Sequence, residues 1–309
     1  MTTPGPRGVF AGLATLDVIH RVDAPPGPNQ KITAAAQFVA AGGPAANAAV
    51  TFAALGGHAV LVTALGQGAI AQTITAELTA QGVEVHDIAP HLRDATPVSS
   101  VTVLEATGER SVIGGDAAGL KAPCPGPELV HELLAGADVV LLDGHHPELA
   151  RAVRDAASAA ALPIVLDAGR WKPIMDELVG EVSDVVASAD FRTPGARTSA
   201  ETAAELRRRG AASIAVTAGP DPVHWWHGER HGQIEVPQVR AVDTLGAGDV
   251  FHGAYAHALA ASADIEARLR FAAEVAAIRC AHVGPRSWLE HVTLGAAVHK
   301  PVRGDQAGL

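Results

Sequence analysis

Gly246, Ala247, Gly248 and Asp249 stand together inside the stretch V-D-T-L-G-A-G-D-V-F-H-G-A-Y-A-H-A-L-A-A, residues 242 to 261. Two glycines within three positions disfavour helix interior. After them Phe251, Tyr255 and Leu259 recur at i, i+4 with Val250 and Ala254 beside them, which is one face of a helix. The stretch therefore predicts a loop over Leu245 to Gly248 that runs directly into a helix, with Asp249 in the first turn. First-turn N–H groups have no helical partners, and the helix dipole favours negative charge there. Gly246, Ala247 and Gly248 thus form an anion hole that a phosphate can approach closely. Asp249 is itself an anion beside that hole. One reading is a helix cap, a role open also to Asp243 and Thr244. The other is a general base that takes a proton from a hydroxyl attacking phosphorus, which gives the second negative charge a reason.

Two other phosphate-binding patterns fail on spacing. G-x-G-x-x-G would need glycine where Phe251 stands, and no G-K-[S/T] occurs; the run Gly114 to Lys121 places its lysine one position late for a Walker A loop. Upstream, Gly42-Gly43-Pro44-Ala45-Ala46-Asn47 opens an Ala-rich helix. The Asn47 amide both donates and accepts, which suits a sugar hydroxyl as well as a cap. Asp17 lies in an apolar stretch, where a carboxylate is costly unless paired or used.

D-T-L-G-A-G-D-V-F-H-G resembles the C-terminal signature of the ribokinase-like (PfkB-type) carbohydrate kinases. G-G-P-A-A-N, followed by the Ala-rich helix and Leu55-Gly56, resembles their N-terminal signature, in the family's order. The resemblance spans Val9 to Gly284. It implies an α/β fold: a ribokinase-like three-layer sandwich with a mostly parallel central sheet and a small β-sheet lid. The whole chain, 1–309, is then one kinase domain, with lid segments at residues 15 to 41 and 96 to 114. It further implies ATP with Mg2+, and K+ or a similar monovalent cation held by Asp243 and the loop from Arg279 to Gly284. Thr217 and Gly219 of T-A-G, with Thr244, Gly246 and Gly248, are the expected nucleotide contacts. Asp17, Gly42, Gly43 and Asn47 are the expected sugar contacts, with Asp249 as base. The chain departs from the family where many members carry N-x-x-E: it has Ser188-Ala189-Asp190-Phe191, so Ser188 or Asp190 must substitute if the metal contact is kept. Pro220 directly after T-A-G is a second departure.

The signatures look closest to the ketohexokinase and sulfofructose kinase branch, so a fructose-like ketohexose is the expected substrate. Lys31 is one of four lysines in an arginine-biased chain and falls in the expected lid strand. It is either an exposed strand lysine or the partner of a sulfonate or phosphate on the sugar. A nucleoside kinase is the alternative of the same chemistry, weakened by six Phe and one Tyr in the chain. A sugar-binding regulator without catalysis is the alternative from another class, motivated by the altered N-x-x-E.

Composition bounds the rest. With 309 residues and 48% apolar, the chain can bury a large core, built from Ala, Val and Leu because aromatics are only 4%. A formal charge of −10 argues against nonspecific nucleic-acid binding. No apolar run reaches the ~20 residues of a membrane span, and M-T-T-P-G-P-R-G lacks a signal pattern. Cys124 and Cys280 form no motif, so both are read as reduced thiols in a cytoplasmic protein. The fifteen histidines show no zinc pattern. His145-His146 and His224, His227 and His231 read as surface or loop residues. Alternating strands and helices predict a parallel sheet. Predicted elements include a strand over Lys31 to Ala41, a hairpin over Val98 to Leu104 and Arg110 to Ile113, helices over Pro173 to Val179 and Ile265 to Ala281, and a disordered tail after Lys300. The open lid edges predict a homodimer paired through the lid.

Overall fold

The computed structural model describes residues 5–93, 96–117, 120 and 122–292; the tail after Lys300 lies outside them. In chain order the elements are β1 (Arg7–Ala11), β2 (Thr15–Val22), β3 (Ala36–Gly42), α1 (Pro44–Ala54), β4 (His58–Thr63), α2 (Ala69–Ala80), β5 (Val83–Asp87), β6 (Val98–Leu104) and β7 (Arg110–Gly114). Then come α3 (Pro127–Leu134), β8 (Val139–Leu142), α4 (Pro147–Ala159), β9 (Ile164–Ala168), α5 (Met175–Leu178), β10 (Asp184–Ser188) and α6 (Ser199–Arg208). The last are β11 (Ser213–Ala218), β12 (Asp221–His227), β13 (Arg230–Ile234), α7 (Ala247–Ala260) and α8 (Ile265–Cys280).

Nine strands form one sheet in the order β13-β12-β11-β10-β9-β8-β1-β4-β5. From β5 to β11 neighbours are parallel; β12 and β13 close one edge as an antiparallel hairpin. Successive strand residues face opposite sides, and here both sides are buried. Phe10, Val139 and Leu141 enter the core beneath α1, α2, α7 and α8. Val9, Val140 and Leu142 enter the core beneath α3, α4, α5 and α6. This is why the strands read as unbroken apolar runs rather than alternating ones.

A separate four-stranded sheet has the order β3-β2-β6-β7. It buries Ile19, Val101 and Val103 on one side and leaves Val112 and Ile113 of its edge strand 53% and 78% exposed. Its turn is tied to the main body. The Thr244 N–H and hydroxyl both donate to the Gly108 carbonyl at 2.9 Å, and a Cβ at Gly108 would come within 2.6 Å of the Val242 carbonyl carbon.

Helices α1 and α7 cross closely because Gly253 has no side chain; a Cβ there would stand 2.3 Å from the Ala48 carbonyl oxygen. That approach brings the N-terminal signature against the C-terminal one. Three expectations on element bounds change. The strand expected from Lys31 begins only at Ala36, and Lys31 lies in an exposed loop. The helix expected over Pro173 to Val179 shrinks to Met175–Leu178, since Lys172 and Pro173 make i→i+3 turns before it. Helix α3 was not expected, although Val130, Leu133 and Leu134 bury one face of it.

Candidate active site

Gly246 caps α7 in the left-handed conformation, φ 71°, which favours glycine. Gly248 follows in the first turn with nothing within 4 Å of where its Cβ would be. The loop runs directly into the helix with Asp249 in the first turn, as the sequence predicts, but α7 begins at Ala247, so Gly248 lies in the helix and not in the loop; the space over Gly248 is open for an incoming group.

Asp249 faces α1. Its Oδ2 accepts a hydrogen bond from Asn47 Nδ2 at 2.8 Å, and Asn47 Oδ1 accepts from Arg286 Nη1 at 3.1 Å. A carboxylate only accepts and a guanidinium only donates, so one amide orientation satisfies both. Arg286 in turn donates from Nε to Glu77 Oε1 at 2.9 Å and from Nη2 to the Ala41 carbonyl at 2.7 Å. Glu77 also accepts from the Ala41 N–H. Three stretches of chain, Ala41 to Asn47, Glu77 and Arg286, are thereby joined beside Asp249. Burial, then the nearby Asp167 carboxylate, push the Asp249 carboxyl up to about 6. Such a group is ionised near neutrality yet basic enough to accept a proton.

Asp17, on β2, is buried beside this network. Burial raises its carboxyl above the usual range, against the Thr15 and Ser99 hydrogen bonds and the Arg286 charge. Thr15 Oγ1 donates to it at 2.6 Å. Gly42 is needed here, because a Cβ on it would stand 2.0 Å from Asp17 Oδ2. Gly43, φ 95°, lets α1 begin against the Leu13 backbone, where a Cβ would come within 2.5 Å. Packing alone thus accounts for both glycines. Asp17, Ala41, Asn47, Gly246, Arg279 and Arg286 share the wall of one cleft.

Lys31 is not part of that wall. Its place as the cleft's cation is taken by Arg286, which sequence reasoning missed because its partners come from α1, α2 and β3. Asp143, at the end of β8, is a second omission. Its Oδ2 accepts the Leu13 and Ala45 N–H groups at 2.8 and 3.2 Å, joining the end of β1 to the start of α1. Its burial would raise its pKa, but the His145 ring and Lys172 outweigh that and hold it below the usual carboxylate range. An acidic residue closing the apolar run V-V-L-L is the signal that marks it.

Asp243 is 1% exposed, and its Oδ1 lies 3.1 Å from Arg279 Nη2 in a buried ion pair. Asp243, the expected cation ligand, is thus paired with Arg279.

Thr217 lies near the end of β11, and Gly219 directly follows the strand. Gly219, φ 61°, has open space around it, and Thr217 Oγ1 makes only a 3.4 Å contact to the Ala187 carbonyl. Ser188 donates to the Gly169 carbonyl at 2.8 Å, and Asp190 is exposed. Among the described residues no cluster of three or more His, Cys, Asp or Glu is arranged to hold a metal, so magnesium has no all-protein cage here. No described helix is long and apolar enough to cross a membrane.

The pfkB family carbohydrate kinase profile matches residues 8–291. Ribokinase of Arabidopsis thaliana is 29% identical over 290 residues, 88% of this chain and 76% of that one. Ketohexokinase of Mus musculus is 24% identical, over 87% of this chain and 94% of that one. The solved structure of Arabidopsis thaliana ribokinase complexed with ribose and ATP superposes with a TM-score of 0.74 at 25% identity, covering 94% of this chain and 99% of that one.

Proposed function

The chain belongs to the pfkB family of carbohydrate kinases and is a phosphotransferase acting on a sugar hydroxyl, and on that premise we propose that it transfers the γ-phosphoryl group of ATP to a furanose with Asp249 as general base. The observation that carries this reading is the Asn47–Asp249 hydrogen bond at the mouth of the glycine turn. Asp249 accepts the proton of the attacking hydroxyl. The Gly246 to Gly248 turn meets the transferred phosphoryl group with backbone N–H groups and the positive end of α7. Asn47 and Asp17 hold ring hydroxyls, and the small sheet covers the sugar.

Thr217, Gly219 and the open side of Gly248 fit the nucleotide, and magnesium arriving with it would supply charge screening for its phosphates. The preferred sugar is a ketohexose; ribose is the five-carbon competitor, favoured by the names of the relatives. Lys31 remains a candidate partner for an anionic substituent only if its loop folds over the sugar. The exposed β7 edge supports pairing of two copies through the small sheet.

The deciding experiment measures ADP release with fructose, ribose, a sulfonated ketose and adenosine in parallel. Turnover with a furanose supports the reading. Turnover with adenosine alone replaces the sugar, and binding without turnover for every compound leaves a regulator.

A further inference from the structure

Behind the glycine turn the structure buries a charge pair that the transfer chemistry above does not use. Arg279, near the end of α8, and Asp243 are each only 2% exposed at their side chains. Three oxygens converge on the guanidinium. Asp243 Oδ1 lies 3.1 Å from Nη2, and Nη1 donates to the Asp243 carbonyl at 3.3 Å and the His282 carbonyl at 3.0 Å. One carboxylate and two carbonyls are a hard-oxygen set of the kind that holds a simple cation. Here the set is filled by nitrogen of the chain itself, and an ion cannot share the point with a guanidinium.

The pair is wired to the anion hole. Asp243 Oδ1 also accepts the Leu245 N–H at 3.0 Å, and Oδ2 accepts the Gly284 N–H at 2.9 Å. Leu245 directly precedes Gly246, so Asp243 fixes the entry to the glycine turn. A buried carboxylate at that place, left uncompensated, would both destabilise the loop and repel a phosphate at the glycine turn that begins three residues on. Something positive must face it.

We propose that Arg279 is a built-in cation that does permanently what a bound monovalent ion would do, so that this chain needs neither K+ nor Na+. Arginine suits the task because it stays charged when buried and its planar fork reaches several oxygens at once.

The test compares potassium, sodium and tetramethylammonium chlorides at equal ionic strength. It reads both ADP release and the melting temperature with a nonhydrolysable ATP analogue. The activity arm rests on the phosphotransfer reading; the melting arm does not. For the unaltered protein, rates within about twofold and melting temperatures within about 1 °C across the three salts are expected, since an ion that binds selectively must stabilise the folded state. Activation or stabilisation by potassium well beyond those bounds overturns the proposal. Arg279→Ala should lose at least about tenfold in activity and regain most of it with potassium or guanidinium chloride, because the oxygen set is then vacant. A folded Arg279→Ala with full activity in tetramethylammonium overturns it as well. If that variant does not fold, Arg279→Lys keeps a charge at the site and is expected to be indifferent to the salt; strong potassium activation of it counts against the proposal.

Discussion

Two regions of the molecule, the proposed sugar side and the proposed nucleotide side, are built on different terms. On the sugar side the polar groups are tied to one another across the whole chain. Asn47 bonds Asp249 across 202 positions, and Arg286 bonds Asn47 across 239 and Glu77 across 209. On the nucleotide side the contacts are local or loose: Ser188 reaches Gly169, 19 positions away, and Thr217 makes a 3.4 Å contact. Folding therefore fixes Asp249, the proposed proton acceptor, before any ligand arrives, whereas the proposed nucleotide side leaves polar groups and glycines exposed for a ligand to organise. Preorganised groups lower a barrier because they need no rearrangement at the moment of reaction.

The contrast is broken most severely at Asp249. Asp249→Asn preserves shape and removes basicity, and kcat should fall by about 10²–10⁴-fold with sugar affinity nearly unchanged. The pH profile gives an independent check. With the Asp249 carboxyl raised to about 6, the ionised base is present above that value and is lost as pH falls through it. So kcat/KM of the unaltered protein should decline toward acid with a midpoint near there. A flat profile down to pH ~4.5 would mean that the carboxylate keeps its ordinary acidity, and near-normal kcat in the Asn variant would return Asp249 to a cap.

Arg286 comes next. Arg286→Met removes the donors to Asn47, Glu77 and Ala41 together while keeping much of the apolar stem. A misplacement of Asn47 by ~1 Å should cost up to about 10²-fold in kcat/KM. Glu77→Gln, which keeps an acceptor for Arg286 Nε, should cost clearly less. Equal losses in the two variants would mean that the network serves stability rather than position.

How much of this was legible follows from the range of the contacts. The glycine turn, α7 and Asn47 at the start of α1 are local patterns of spacing and residue type, and the structure places them as the sequence predicts. The β6–β7 hairpin is local as well. Arg286 and Arg279 carried no local signal: their meaning lies in partners brought near by folding, and each sits in a stretch that reads as an ordinary helix end or loop. Lys31 misled for the opposite reason. A rare lysine before an alternating run looks like part of the strand, but the residues preceding Ala36 stay in an exposed loop. Gly42 and Gly43 are expected sugar contacts by resemblance; the closeness of Asp17 and Leu13 gives them a packing reason that spacing could not reveal.

A milder effect is expected at Gly42. Gly42→Ala forces a Cβ to within 2.0 Å of Asp17 Oδ2, so either the carboxylate or β3 must move. A loss of about 1–3 kcal/mol of stability is expected from overpacking of this kind. It should be accompanied by a higher KM for the sugar and an unchanged KM for ATP. A parallel rise in both would show that the two sides are less independent than their contacts suggest.

The smallest effects should fall on the proposed nucleotide side, at the positions where the resemblance leads one to expect N-x-x-E. Ser188 already donates its hydroxyl to Gly169, and Ser188→Ala removes one hydrogen bond at a partly exposed strand end. Asp190 is exposed and would have to swing inward to meet a phosphate-bound metal. If the nucleotide and its magnesium organise this side themselves, Asp190→Asn behaves as an ordinary surface change, worth within about 0.5 kcal/mol, or roughly twofold in the KM for ATP. Titrating magnesium at fixed ATP sharpens the measurement, because a carboxylate that reaches the metal, directly or through water, shifts the magnesium dependence and a bystander does not. A tenfold rise in KM for ATP, together with a higher magnesium requirement in Asp190→Asn but not in Ser188→Ala, would show that Asp190 has taken over the missing glutamate. The nucleotide side would then also depend on a specific protein charge, and the contrast between the two sides would be one of exposure rather than of design.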